Sequence, residues 1–228
     1  MPRLALILCV LTTAAACSKS IGDGEVVDYL RAKSPESRAQ LLQQVTEPAS
    51  AAQATGPIER AGAIHRGGAP LTLVGKTLDV GDPMPAVELA DPKLGKIDLG
   101  ALRGKLVVLS VVPSIDTHVC EAQTHKISDA ITQMPPGTTV ITVSRDLPYA
   151  QGRFAQEAMT QTQMGSDYHG GAFGRAFGLE VKETGLLARS VWVIGRDGKI
   201  AYRELVEDQG TEPNYDALIA ASKRGAGT

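Results

Sequence analysis

A chain of 228 residues is too long for a peptide and short for two full domains, so one core with an extension is expected. Apolar residues at 43% and charged residues at 21% give an ordinary globular balance, and a net charge of -2 without a basic run argues against a nucleic-acid partner. Aromatic residues supply only 4%, so the core must rely on Val, Leu, Ile and Ala.

The first stretch, "MPRLALILCVLTTAAAC", has one positive charge at Arg3, an apolar run from Leu4 to Leu11 and small residues before Cys17. It reads as a secretory signal, too short for a stable transmembrane helix. It resembles a bacterial lipoprotein signal, in which the cysteine after the small residues becomes the lipidated first residue. Ala14 stands where that signal usually has Leu, and "AAA" also satisfies a plain A-x-A cleavage site. The expected organisation is a signal peptide over residues 1–16, a lipidated N-terminus with short helices and a flexible linker over 17–66, and a folded domain over 67–228. Ser18 after Cys17 resembles the address of lipoproteins on the periplasmic side of the outer membrane. Of three cysteines, Cys9 lies in the discarded run and Cys17 carries lipid, so Cys120 is left alone. An exported chain with one thiol has no internal disulfide to stabilise it.

Val26, Val27, Leu30 and then Leu41, Leu42, Val45 form two short apolar stripes, with "SPES" at Ser34–Ser37 as a helix start. Glu47 to Pro70 is rich in Ala, Gly and Pro and reads as a tether, or as coil packed on the domain. "LTLVG" and "KTLDVG" alternate around Gly75 and Lys76 as a hairpin would, and "KIDLGAL" gives a short strand and turn. "KLVVLSVV", Lys105 to Val112, is the near-continuous apolar run of a strand buried on both faces. Helix follows from about Thr117 to Gln133, strand over Thr138–Ser144, helix from about Leu147 to Ala158, and a short helix over Ala172–Phe177 closed by Gly178. "ARSVWVIG" and "IAYRELV" are strands joined by Arg196-Asp197-Gly198, and Pro213 opens a last helix to about Ser222. The order predicts an α/β fold, a mixed sheet with helices on both faces.

On this map "VPSIDTHVC" joins the buried strand to the helix that follows it. Pro113 ends the ladder, Asp116 or Thr117 caps the helix, and Cys120 falls in its first turn, where outward N–H groups and the positive end of the dipole favour a thiolate. Thr117, one turn before Cys120, can bond to its sulfur or to an incoming oxygen. The spacing Pro113-x3-Thr117-x2-Cys120 is the P-x3-[ST]-x2-C signature of peroxiredoxins. A metal site from His118, Cys120 and His125 is disfavoured: on a helix Cys120 lies about 200° from His118 and about 140° from His125. His65 and His169 read as solvated loop residues, Met134, Met159 and Met164 as core or surface, Asp116 as a cap, Arg145 as a loop charge and Trp192 as core.

"VPSIDTHVCEAQT", "SRDLPYAQGRF", "GLLARSVWVI" and "TEPNYDALIA", with the opening "GGAPLTLVGKTLDVGDPMP", closely resemble the thiol peroxidase branch of the peroxiredoxins from about Gly67 to Ala221. The resemblance implies a thioredoxin-like fold with an N-terminal β-hairpin, usually dimeric, that reduces hydrogen peroxide and organic hydroperoxides without cofactor or metal. By motif, Cys120 is then the peroxidatic cysteine, Thr117 its hydrogen-bond partner, Pro113 its shield and Arg189 the guanidinium that stabilises the thiolate and polarises the peroxide. One departure matters: that branch usually places a resolving cysteine where Arg153-Phe154-Ala155 ends in Ala155. The expectation is therefore a one-cysteine peroxidase resolved by an external thiol or a thioredoxin-like reductant. The rival is a catalytically weak lipoprotein of the same fold that acts as a redox sensor or binding module.

Overall fold

The computed structural model describes Ser34 and residues 58–227. The chain divides into two compact units, Met1–Gly56 and Pro57–Thr228, and the second is the one described. The signal peptide, Cys17 and the short helices expected between Ser20 and Val45 lie outside the described residues, Ser34 apart.

The structure corrects the sequence reading first at the start of this unit. Strand β1, Glu59–Arg66, pairs antiparallel with β2, Ala69–Val74. The hairpin therefore turns at Gly67-Gly68, not at Gly75 and Lys76, and part of the stretch read as a tether is strand. The pattern of β1, "ERAGAIHR", hides it: Ile64 is its one fully buried side chain, and the register shifts between Arg60 and Ile64. Gly67 and Gly68 both have positive φ, 56° and 81°, the backbone that a tight two-residue hairpin turn demands. Strand β8, Glu180–Val181, adds to β2 and completes a three-stranded sheet.

The main sheet has seven strands. Within it β5, Val107–Val111, runs parallel to β6, Thr139–Ser144, the middle strand, which is parallel to β7, Gln163–Ser166. On the other side β5 pairs antiparallel with β9, Ser190–Ile194, which carries β10, Ile200–Leu205, at the edge. Beyond β7 lie β3, Glu88–Ala90, and β4, Lys96–Asp98, giving the order β10-β9-β5-β6-β7-β3-β4. The short β3 and β7 gave no apolar run to find.

Strand periodicity sorts the core onto two faces. Val107, Leu109 and Val111 of β5, Ile141 and Val143 of β6, and Trp192 and Ile194 of β9 join Ile64, Leu73, Phe173 and Phe177 in one cluster. The last two belong to or follow the short helix α3, Ala172–Ala176, numbered after α1, His118–Ala130, and α2, Pro148–Glu157. Val108, Val140, Val191 and Val193 point the other way, against Ile127 of α1 and Leu218, Ile219 and Ala221 of α4, Tyr215–Gly225. Each fully buried aliphatic or aromatic side chain contributes about 1.5–3 kcal/mol of transfer free energy, so this two-sided burial fixes β5 firmly. Helix α4 is capped by Asn214, whose side chain accepts from Ala217 N–H at 2.9 Å; Pro213, expected inside the helix, precedes the cap. The architecture is the thioredoxin-like α/β fold expected of the sequence, with helices on both faces of a mixed sheet.

Candidate active site

Strand β5 delivers its C-terminal end to the start of α1. Val112 N–H still bonds to Val143 C=O at 2.9 Å, and Pro113, buried and without an N–H, ends the ladder. Thr117 stands at the N-cap position of α1 in an extended conformation (φ -126°, ψ 141°) but makes no side-chain capping bond. Its hydroxyl donates instead to Cys120 Sγ at 2.9 Å, with the Ser114 carbonyl farther away at 3.4 Å. Asp116, the other cap candidate, is exposed, and its N–H bonds to Ser114 Oγ, so Thr117 and not Asp116 occupies the cap.

The second donor arrives from across the fold. Arg189 immediately precedes β9 and is 2% exposed. Its Nη2 donates to Cys120 Sγ at 3.2 Å, Nη1 to Gln123 Oε1 at 2.7 Å and Nε to the Gln209 carbonyl at 3.2 Å. Its acceptors are a sulfur, an amide and a carbonyl, and it joins no ion pair within 4.0 Å among the described residues. A buried guanidinium held by neutral acceptors keeps its charge directed at the sulfur and at whatever meets the sulfur. Two donors converging on Sγ favour negative charge there, as do the first-turn N–H groups of α1, which have no intrahelical acceptors.

The remaining wall is apolar. Val112, Ile115 and Met164 are buried against Cys120, and Ala150, Phe154 and Ala155 of α2 pack beside them. Cys120 is fully buried, so a peroxide reaches the sulfur only when this cover shifts. Ala155 thus packs its methyl group against the apolar cluster that contains Cys120.

Three polar positions were missed in the sequence. Gln123, one turn after Cys120, is fully buried; its amide donates to Ser110 Oγ at 3.0 Å while its oxygen holds Arg189. Asp146, just after β6, accepts from Ser114 Oγ and Ile115 N–H, both at 2.8 Å, and from Ser144 Oγ at 2.6 Å. It pins the loop between Pro113 and Thr117. The third is Gln209. Gln123 shares the buried face of α1 with Thr124 and Ser128, so no apolar stripe singled it out, and Asp146 and Gln209 lie in loops without a periodic pattern.

Other sequence candidates lie elsewhere. Arg145 is no loose loop charge: it is largely buried, pairs with Glu180 at 2.7 Å and Asp167 at 3.5 Å, and donates to the Gly185 carbonyl. His65 sits in β1, not a loop, 3.9 Å from Asp208. His118 and His169 are exposed, and His125 faces Glu121 at 3.8 Å. Met134 and Met164 are buried and Met159 is exposed. Among the described residues no three metal-ligating side chains gather. A cleft of about 470 Å³ lined by residues of β3, β4 and Ser166–His169 shares no residue with the Cys120 cluster.

A thioredoxin-like sheet that presents one cysteine at a helix start, bonded to a hydroxyl and a guanidinium, defines a thiol-based redox protein. The comparisons place it further. Residues 79–219 match the redoxin family. The chain is 43% identical over 157 residues to a thiol peroxidase of Streptococcus parasanguinis, covering 68% of this chain and 95% of the relative. It is 40% identical over 157 residues to a thiol peroxidase of Bacillus subtilis, covering 68% and 93%. A crystal structure of a peroxiredoxin-like protein from Aquifex aeolicus superposes with a TM-score of 0.68 at 34% identity, covering 75% of this chain and 99% of that one. The chain belongs to the redoxin family and, within it, to the thiol peroxidase branch of the peroxiredoxins, a class of peroxidase oxidoreductases.

Proposed function

We propose that this chain reduces hydrogen peroxide and organic hydroperoxides with Cys120 as its single redox-active cysteine, an external thiol completing the cycle. The observation that carries the reading is the pair of donors on one buried sulfur, Thr117 Oγ1 at 2.9 Å and Arg189 Nη2 at 3.2 Å. The Cys120 thiolate attacks one oxygen of R–O–O–H. The S–O bond forms, the O–O bond breaks, and the departing oxygen leaves as R–OH after taking a proton. Sulfur is oxidised to the sulfenic acid and the peroxide is reduced by the same two electrons. Arg189 offers five N–H donors, of which three are engaged among the described residues, so two remain to meet the peroxide oxygens as charge moves onto them.

With Ala155 packed against the Cys120 cluster, the sulfenic acid meets no second thiol there. A small thiol or a thioredoxin-like protein attacks its sulfur, water leaves and a mixed disulfide forms; a second thiol releases Cys120 and carries away the disulfide. The test uses the full chain with Cys9 and Cys17 replaced by Ser. One equivalent of hydroperoxide should yield a stoichiometric sulfenic-trap adduct on the Cys120 peptide, and excess should yield sulfinic acid. A disulfide-linked dimer through Cys120 would place resolution between subunits and sink the one-cysteine cycle.

The same reading includes export and anchoring through lipidated Cys17 on the periplasmic side of the bacterial outer membrane, and assembly as a homodimer. Export and anchoring rest on the signal-like first 16 residues and the small residues before Cys17, and the homodimer rests on the family resemblance alone. No helix among the described residues is long and apolar enough to cross a membrane. Cys17→Ser should move the protein from the membrane fraction to a soluble or unprocessed form; an unmodified Cys17 in the mature chain would remove the anchor.

A further inference from the structure

Gln209 lies beyond the end of β10, in a turn without regular structure, yet it is 5% exposed. The antiparallel ladder between β9 and β10 ends at Ser190 and Leu205, and one further bond carries Val206 N–H to the Arg189 carbonyl at 3.0 Å. The next acceptor, the one that meets Arg189 N–H, is not backbone. It is Gln209 Oε1, at 2.6 Å. The other end of the same amide, Nε2, donates to the Val206 carbonyl at 2.5 Å, and the Gln209 carbonyl accepts from Arg189 Nε at 3.2 Å. The turn is held from behind as well, by Gln209 N–H to the His65 carbonyl at 2.9 Å and His65 N–H to the Glu207 carbonyl at 2.8 Å.

We infer that Gln209 is a positioning residue for the peroxide reaction: its side chain takes the place of a missing strand bond and thereby sets the plane in which Arg189 presents Nη2 to Cys120. The chemistry specifies the residue type. An amide offers an acceptor and a donor at one end; a carboxylate lacks the donor for Val206, and Asn is one methylene too short to reach both partners from the same backbone. Nε and Nη1 fix a planar guanidinium at two of its edges, through Gln209 and Gln123, and the third edge then faces the sulfur. Losing the Gln209 side chain frees the Arg189 peptide on one side and lets the carbonyl under Nε drift, while the guanidinium itself stays present. The reaction loses alignment, not charge.

The inference rests on Cys120 being the sulfur that meets peroxide, and the experiment keeps the two apart. Gln209→Met retains length and volume without either polar end, and Gln209→Ala is made beside it, each in the full chain and each again combined with Arg189→Met. The readout is the second-order rate of sulfenic-trap labelling at Cys120, by mass spectrometry, with folding followed by circular dichroism. The single Gln209 variants should label about tenfold more slowly, as expected when a buried hydrogen bond that aligns a charged donor is lost. In the Arg189→Met background the same change should alter the rate less than about twofold, because two residues acting through one path are not additive. A residue that merely stabilised the fold would lower the melting temperature in both backgrounds without this dependence. Rates equal to the parent's, equal losses in both backgrounds, or failure of both Gln209 variants to fold would each overturn the positioning role. A parent chain not oxidised at Cys120 would overturn the proposed function with it.

Discussion

Replacing Arg189 by Met removes the one cationic donor on the sulfur among the described residues while leaving a side chain of similar length in the buried space. The guanidinium bonds to Cys120 Sγ at 3.2 Å, and the proposed function gives the peroxide oxygens to its two N–H groups without a partner among the described residues. A hydrogen bond to a charged group is worth about 1.5–3 kcal/mol. To the extent that the bond strengthens as charge leaves sulfur for oxygen, its loss appears in the rate, and about 1.4 kcal/mol is a factor of ten. Arg189→Met should therefore slow oxidation of Cys120 about ten- to a hundredfold. Arg189→Lys should recover little of this, since a point charge on a flexible stem cannot join Gln209, Gln123 and the sulfur in one plane. The measurement is the pseudo-first-order loss of the Cys120 thiol under excess hydroperoxide, followed by trapping and mass spectrometry, with the far-ultraviolet spectrum as the check on folding. A folded Arg189→Met variant that oxidises as fast as the parent would refute the reasoning, because the geometry leaves Arg189 no other chemical task at this sulfur.

Ala155→Cys places a second thiol against the Cys120 cluster, and one equivalent of peroxide should then give an intramolecular disulfide, read as loss of the trap adduct and a peptide cross-link; persistence of the adduct would show that α2 cannot bring the sulfurs together. Asp146→Ala leaves Ser114 Oγ, Ile115 N–H and Ser144 Oγ without their shared acceptor, and should cost about 2–3 kcal/mol by chemical denaturation and slow Cys120 oxidation, whereas unchanged kinetics would show that the loop holds itself. The Glu212 carboxyl is held below its ordinary value by hydrogen bonds from Lys126 and Tyr215, with Arg189 among the charges that add to this. Its stabilising contribution is present above the ordinary carboxylate range and is lost as pH falls through the depressed folded value. Glu212→Gln should therefore flatten the acid limb of the stability curve by less than about 1 kcal/mol, the scale of a partly exposed pair; a limb unchanged by the substitution would exclude Glu212 as a contributor.

The central architecture was legible because β5, β9 and the helix after β5 announce themselves by period and composition. "KLVVLSVV" is apolar on both faces because both faces are covered, and Pro113 marks where the ladder must stop. Cys120 and Thr117 were legible as a pair because a three-residue spacing on a helix start is a local relation. Arg189 was named through resemblance, since nothing local in "LLARSV" says that its side chain crosses to α1, 69 residues away in the chain. What stayed hidden was held by backbone, by neutral amides or, at Asp146, by a carboxylate in a loop without periodic pattern. Strand β1 pairs through main-chain groups across a shift in register, with only Ile64 to mark its buried face. Gln123 and Gln209 carry no charge and look like surface residues until their partners are in place.

The distance in sequence between Cys120 and its donors has a consequence for the life of the chain before it folds. Thr117 leaves the ribosome with the cysteine, but Arg189 follows 69 residues later and Gln209 later still. Until β9 pairs with β5, the guanidinium has no reason to be near the sulfur, and until α1 forms there is no first turn to offer its N–H groups. On the proposed function, a chain still being made therefore carries Cys120 without the two donors that the reaction with peroxide calls for. The donors arrive together with the cover of Val112, Ile115, Met164 and Phe154, so the proposed sensitivity to oxidant would appear only when the same folding event encloses the sulfur. Comparing the peroxide reactivity of the denatured and the folded chain displays that timing directly.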